Sequence, residues 1–185
     1  MKKYIIWGLV VVAVLAAFYL FGAYNNLISN SEAVDNKWAQ VETQYQRRFD
    51  LIPNVVKTVK GFASQEQTIF ADIADARTRY SGASNTEDKV KAANQVESAL
   101  GRLLVIAENY PDLKSSQLFT DLNVELEGAE NRISVERSRF NDAVTKYNLA
   151  TKRFPSSLVA SYFGFEEKDY FQSVDGSENA VPVNF

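Results

Sequence analysis

The chain has no cysteine and no histidine in 185 residues. Without a thiol there is no disulfide, no cysteine nucleophile, no thiolate metal site and no lipidated cysteine. Without an imidazole, the commonest general base and the commonest transition-metal ligand are missing. Glycine and proline are scarce, at 8 and 4 residues. A fold of many strands needs more turns than that, whereas a few long helices joined by short loops do not. Chemistry is left to Asp, Glu, Lys, Tyr and Ser, and no triad or metal-binding spacing is present among them. No catalytic, metal or cofactor residue is therefore assigned, no cofactor is expected, and the chain is not expected to be an enzyme.

The charge balance narrows the partners. The formal net charge is −3. Lys2 and Lys3 precede an apolar run and every acidic residue follows it. Removing those two from 20 basic residues leaves 18 against 23 acidic ones, a net of −5. A mildly acidic surface without a basic patch disfavours nucleic acid, so no nucleic-acid partner is expected.

Residues 4–24 (YIIWGLVVVAVLAAFYLFGAY) contain no charge. About 20 apolar residues in a helix cross a hydrocarbon layer ~30 Å thick. Aromatic residues cluster at both ends of the run, as at the two membrane interfaces. Signal peptides have apolar cores of roughly 7–15 residues ending at a small-x-small site. This run is longer, and bulky Phe21 occupies the position where cleavage after Ala23 wants a small residue. It reads as a retained single-pass anchor. Lys2 and Lys3 on one side, with Glu32 and Asp35 on the other, put the N-terminus in the cytoplasm. The expected location is the bacterial cytoplasmic (inner) membrane, with the C-terminal domain outside. The expected divisions are residues 1–24 as cytoplasmic stub and anchor, 25–173 as an extracytoplasmic helical bundle, and 174–185 as a flexible tail.

Within 25–173 apolar residues recur at steps of three and four, the spacing of one helical face. The first stripe is Val34, Trp38, Val41, Tyr45, Ile52, Val55 or Val56, Val59 and Phe62, with Arg48 filling a gap. Pro53 is expected to kink or interrupt that helix. Ser64 with Gln67 suggests a capping box for a second helix carrying Ile69, Phe70, Ile73, Ala76 and Tyr80. Thr86 is the expected cap of a third, which should end near Tyr110 because Pro111 disfavours helix before it. The fourth and longest runs from Ser115 or Ser116 towards Phe154, on the stripe Phe119, Leu122, Leu126, Ala129, Ile133, Phe140, Val144 and Tyr147. Ser156 or Ser157 should cap a short helix ended by Gly164. The fold class is all-α: an N-terminal transmembrane helix, an antiparallel bundle of about four long helices, and a short C-terminal helix.

Residues 34–56 (VDNKWAQVETQYQRRFDLIPNVV) and 130–141 (ENRISVERSRFN) carry a resemblance to the LemA family. Residues 24–26 (YNN), 108–113 (ENYPDL), 147–148, 154–155 and 164–165 add to it. The resemblance covers residues 1–171. Phe140 stands where the family usually has Tyr, which removes a hydroxyl and keeps the ring. The resemblance implies one membrane segment, an antiparallel bundle and no enzymatic activity established for the family as a whole. Its members are often encoded near membrane-bound metalloproteases, which makes such a protease a candidate partner.

The polar residues on or near the two principal stripes are the candidate interaction face or polar network: Trp38, Gln44, Arg47, Arg48, Asp50, Asn54, Glu130, Asn131, Arg137 and Asn141. Arg48 and Arg137 interrupt apolar registers, and a buried charge persists only when paired. The expectation is an Arg–carboxylate–amide network between the first and last helices, with Asp50 and Glu130 as counter-charges. Such a network can fix helix register, or it can line a groove that grips a partner's helix or extended chain. Three function classes follow. The first is a non-catalytic envelope scaffold or adaptor binding a membrane or envelope protein, or a second copy of itself. The alternatives are an envelope hydrolase acting on peptidoglycan or peptides, and an accessory sensor domain working through a membrane partner.

Overall fold

The computed structural model describes residues 2–171. The expected tail, 174–185, lies outside the described residues. Among the described residues there is no strand, and the helices are α1 (Lys2–Lys60), α2 (Gln67–Gly82), α3 (Thr86–Ala107), α4 (Pro111–Lys114), α5 (Gln117–Lys152) and α6 (Ser156–Phe163). The fold class is the one the sequence predicts.

The chain forms two compact units. The first comprises residues 1–41 and 136–170. In it α1 and α5 run antiparallel. Trp38 meets Phe140, with ring centroids 5.5 Å apart, while Ala23 and Leu27, further back on α1, pack with Ala150, further on in α5. Val159 and Ala160 of α6 complete that cluster. Gly164 ends α6 in the left-handed conformation (φ 72°), which a residue without a Cβ adopts freely, and its N–H donates to the Ala160 carbonyl.

The second unit holds residues 42–135. There α2 and α3 form an antiparallel hairpin, as two cross-helix contacts show. Arg79 Nη1 donates to Gln95 Oε1 at 3.4 Å, and Arg102 Nη2 to Asp72 Oδ2 at 2.8 Å. The core of this unit is Tyr45, Ile52, Val55 and Val59 from α1, Ile73 from α2, Val96, Leu100 and Leu103 from α3, and Leu126 and Ile133 from α5. Each aliphatic side chain so buried stabilises by about 1.5–3 kcal/mol relative to exposure.

Among the described residues one helix, α1, is long and apolar enough to cross a membrane, and its apolar window is not buried against the rest of the chain.

Several local expectations are corrected. Pro53 does not interrupt α1. A lone proline deletes one backbone hydrogen bond, and the buried residues on both sides of it, Ile52 and Val55, hold the helix on course. Phe62 is exposed rather than in the stripe. It sits in the tight turn closing α1, where Gly61 and Phe62 bond back to Thr58 and Val59, so the helical register is already lost. Ser64 and Gln67 form no capping box. The cap position of α2 is Glu66, which makes no side-chain cap, and its carboxylate instead accepts from the Tyr110 hydroxyl at 3.2 Å. Asn85, not Thr86, caps α3, its Oδ1 accepting from the Asp88 N–H at 2.8 Å. Neither Ser156 nor Ser157 caps α6. The Ser156 hydroxyl turns back to the Ala150 and Arg153 carbonyls.

Because Pro53 is exposed within a continuous helix, Pro53→Ala should restore a hydrogen bond and raise stability by about 1–3 kcal/mol. Circular dichroism of the detergent-solubilised chain during thermal unfolding checks this, and a lowered midpoint contradicts it.

Candidate functional site

Arg48 is the one charged residue among the buried positions in the second unit, 8% exposed. The step pattern Tyr45, Arg48, Ile52, Val55 carries it onto the inner face of α1, so burial is imposed by its neighbours rather than by its own chemistry. Its Nη1 donates to Glu130 Oε2 on α5, a charge-assisted bond across the helix pair. The Glu130 side chain is 34% exposed, so the carboxylate keeps some water while the guanidinium keeps almost none. Arg48 Nε is buried and has no hydrogen-bond partner.

Beside this pair on α1 is an aromatic cluster. The Phe49 and Tyr80 rings meet edge-on at 4.6 Å, Tyr45 and Tyr80 lie 5.6 Å apart, and Tyr45 stacks on Phe49 at 6.0 Å. The Tyr80 hydroxyl is buried without a hydrogen bond. Burial, then the Glu42 carboxylate, then Tyr45 push its pKa well above the ordinary tyrosine value. Glu42 itself accepts from Lys89 Nζ of α3. Residues 42–49 of α1 thus meet a tyrosine of α2 and a lysine of α3, with Glu130 of α5 holding the arginine.

Several of the other candidates lie away from this pair. Gln44 is half-buried and Arg47 is exposed. Asp50 is exposed and accepts from Gln46 on its own helix at 2.8 Å, so it is not the counter-charge of Arg48. Asn54 is exposed, and its backbone carbonyl accepts from Thr58. Asn131 is exposed as well. Both asparagines point away from the buried stripe, since at about 100° per residue Asn54 lies about 100° from Val55 and Asn131 about 200° from Ile133. Arg137 and Asn141, residues of the first unit, are half-buried, and neither is without a partner. Trp38 is half-buried there, edge-on to Phe140. Of the expected network the Arg48–Glu130 pair is present, and Asp50, Asn54 and Asn131 lie outside it.

Sequence reasoning missed a second polar constellation, in the first unit. Asn148 is buried on α5 and clamps the backbone of Lys168. Its Nδ2 donates to the Lys168 carbonyl and its Oδ1 accepts from the Lys168 N–H, both at 2.9 Å. The Tyr147 hydroxyl donates to the Glu166 carbonyl at 2.9 Å, and burial raises the Tyr147 pKa first, followed by Asp35 and Glu166. Lys168 Nζ reaches α1, at Asp35 Oδ1 (2.7 Å) and the Ser31 carbonyl (3.4 Å). The available signal was an asparagine on an apolar helix face beside Val144 and Tyr147. Nothing local marks Lys168.

The features so far define a class: an all-α protein with an N-terminal candidate membrane helix and a bundle held by hydrophobic stripes and a few interhelical polar contacts. The chain belongs to the LemA family, whose family model matches residues 37–185. It is similar to magnetosome protein MamQ 2 of Paramagnetospirillum magneticum, 27% identical over 92% of this chain and 72% of that protein. Magnetosome protein MamQ of Magnetospirillum gryphiswaldense is 26% identical over 85% of this chain and 68% of its own length. Protein LemA of Metamycoplasma hominis is 23% identical over 84% and 72%.

Two outcomes test this site. Glu130→Ala leaves a buried guanidinium uncompensated and should cost about 2–4 kcal/mol, less than a fully buried pair because Glu130 is partly hydrated. Arg48→Met fills similar space without a charge and should cost less, and urea unfolding of both variants decides the order. The second outcome concerns pH. The folded pKa of Tyr80 lies above its unfolded value near 10, so folding holds its proton more tightly. The resulting stability is full below about pH 10 and falls as pH rises through the folded value. Tyr80→Phe should reduce the late-titrating tyrosinate absorbance to the part that Tyr147 contributes. It should also change neutral-pH stability by less than about 1 kcal/mol, because no hydrogen bond is lost.

Proposed function

We propose that the protein is a membrane-anchored scaffold or adaptor of the bacterial cell envelope that acts by binding another membrane or envelope protein. Residues 1–24 are the cytoplasmic stub and anchor, and residues 25–173 form the bundle outside the cytoplasmic membrane. The observation that carries the reading is the exposed, uncharged run on α1, continuous with the helix that packs on α5 and α6. Burial in lipid accounts for an apolar surface that nothing in the chain covers. Lys2 and Lys3 support the orientation.

The composition supports binding over turnover, and two relatives are named for a magnetosome rather than for a reaction. The Arg48–Glu130 pair is read as a register device of the bundle, and the exposed polar residues Arg47, Asn54 and Asn131 as the face offered to a partner. A membrane-bound metalloprotease is the first partner class to examine, on the strength of the family resemblance.

Photo-crosslinking amino acids at Arg47, Asn54 and Asn131 in living cells, followed by mass spectrometry, should capture one envelope protein reproducibly from this face. Crosslinks confined to the chain itself would refute the adaptor reading at this surface.

A further inference from the structure

α6 is apolar on both faces, which is unusual for a helix at a protein surface. It contains no charged residue: Ser156, Ser157, Leu158, Val159, Ala160, Ser161, Tyr162, Phe163. The inner face is accounted for, since Val159 and Ala160 are buried against Ala23 and Leu27 of α1, with Tyr24 and Phe165 packed around them. The outer face is not. Leu158 is 61% exposed and Tyr162, one turn on, 84%. Phe154, just before α6, is exposed too, and Phe163 is exposed although its ring touches that of Tyr24 at 4.8 Å.

The position of this patch says what covers it. Ala23 and Tyr24 are the last residues of the apolar run, ahead of Asn25 and Asn26, so α6 is fastened where the candidate span ends. On α1 the adjoining turn presents Phe18 and Phe21, both about three-quarters exposed. The aromatic surface of α6 therefore continues the apolar surface of the span rather than standing apart from it. Tyr and Phe at such a level match the chemistry of the headgroup boundary, where a ring enters the acyl region and a hydroxyl stays hydrated. The nearest charges flank the helix, with Lys152 and Arg153 before it and Glu166 and Glu167 after it.

We propose that α6 is a second membrane contact: an interfacial helix whose Leu158–Tyr162 face sits in the outer headgroup boundary of the bilayer that α1 crosses. It is pinned to α1 by the Ala23–Leu27–Val159–Ala160 cluster, so the membrane grips the first unit at two places. This rests on the anchor reading of residues 4–24. An interfacial helix buries its apolar face roughly 5–10 Å into the boundary, whereas the middle of the α1 run lies near the bilayer centre.

The absence of cysteine makes the test direct. The full chain carries a single cysteine with an environment-sensitive fluorophore, as Tyr162→Cys, Leu158→Cys, Val12→Cys or Arg47→Cys. It is reconstituted in vesicles of phosphatidylethanolamine and phosphatidylglycerol. Quenching is read with nitroxide lipids labelled near the headgroup, with nitroxide lipids labelled near the chain end, and with aqueous iodide. Positions 158 and 162 should lose emission chiefly to the headgroup-proximal nitroxide, position 12 to the chain-end nitroxide and position 47 to iodide. If position 12 is in lipid while 158 and 162 respond only to iodide, the anchor stands and the interfacial helix falls. Shielding of 158 and 162 from every quencher means that protein covers the face, and also overturns the proposal. If position 12 responds to iodide, the anchor reading fails and the interfacial helix fails with it.

Discussion

A helix that leaves lipid for water has to change the surface it presents. Up to Tyr24, α1 is apolar all round, the pattern suited to a helix that hydrocarbon surrounds on every side. Beyond it the same helix keeps an apolar stripe, which contributes residues to the core of each unit. The first unit meets it at Ala23, Leu27, Val34 and Val41, and the second takes Tyr45, Ile52, Val55 and Val59. Loops add little that could build a deep cleft, since the described connections between helices are only a few residues long. The open cleft on the α2–α3 hairpin illustrates this, for its own Asp72–Arg102 ion pair lies across it.

Within that frame Arg48 is the costly element. A guanidinium removed from water is tolerated only through Glu130, and replacing such a pair by apolar residues is often neutral or favourable. Its value therefore lies in specificity. A helix stripe of similar aliphatic residues can slip by one turn against its neighbour at little cost, but a single buried charge facing a single carboxylate cannot. The unsatisfied Tyr80 hydroxyl is a second polar element whose retention packing alone does not require.

How much of this was legible follows from range. Helix existence and the buried stripes came from 3.6-residue periodicity, a local property. Every residue of the α5 stripe, from Phe119 to Tyr147, is buried. Gly164 as the stop of α6 was legible for the same reason. Caps were less so, because Asn85 and Thr86 are both chemically able to cap and only backbone geometry chooses. Arg48 and Glu130 could be picked out individually, as charges on or beside stripes. The role given to Asp50 failed because spacing places a residue on a face and does not say which neighbour across a helix pair it reaches. The Asn148–Lys168 clamp was invisible, since it depends on an extended segment folding back over α5.

That clamp has a consequence for how the molecule is made. Lys168 and its α1 partner Asp35 are 133 residues apart in sequence. A ribosome adding about 5–20 residues per second needs on the order of ten seconds to supply the second after the first. For that interval the N-terminal apolar run is already available to the membrane, while residues 25–41 of α1 have neither α5 nor α6 to cover their apolar stripe. The first unit can close only after residues 136–170 have been made. Its contact order is set by its two ends, and the nascent protein passes through a stage of one membrane-bound helix with a bare flank, the form most open to proteases and chaperones.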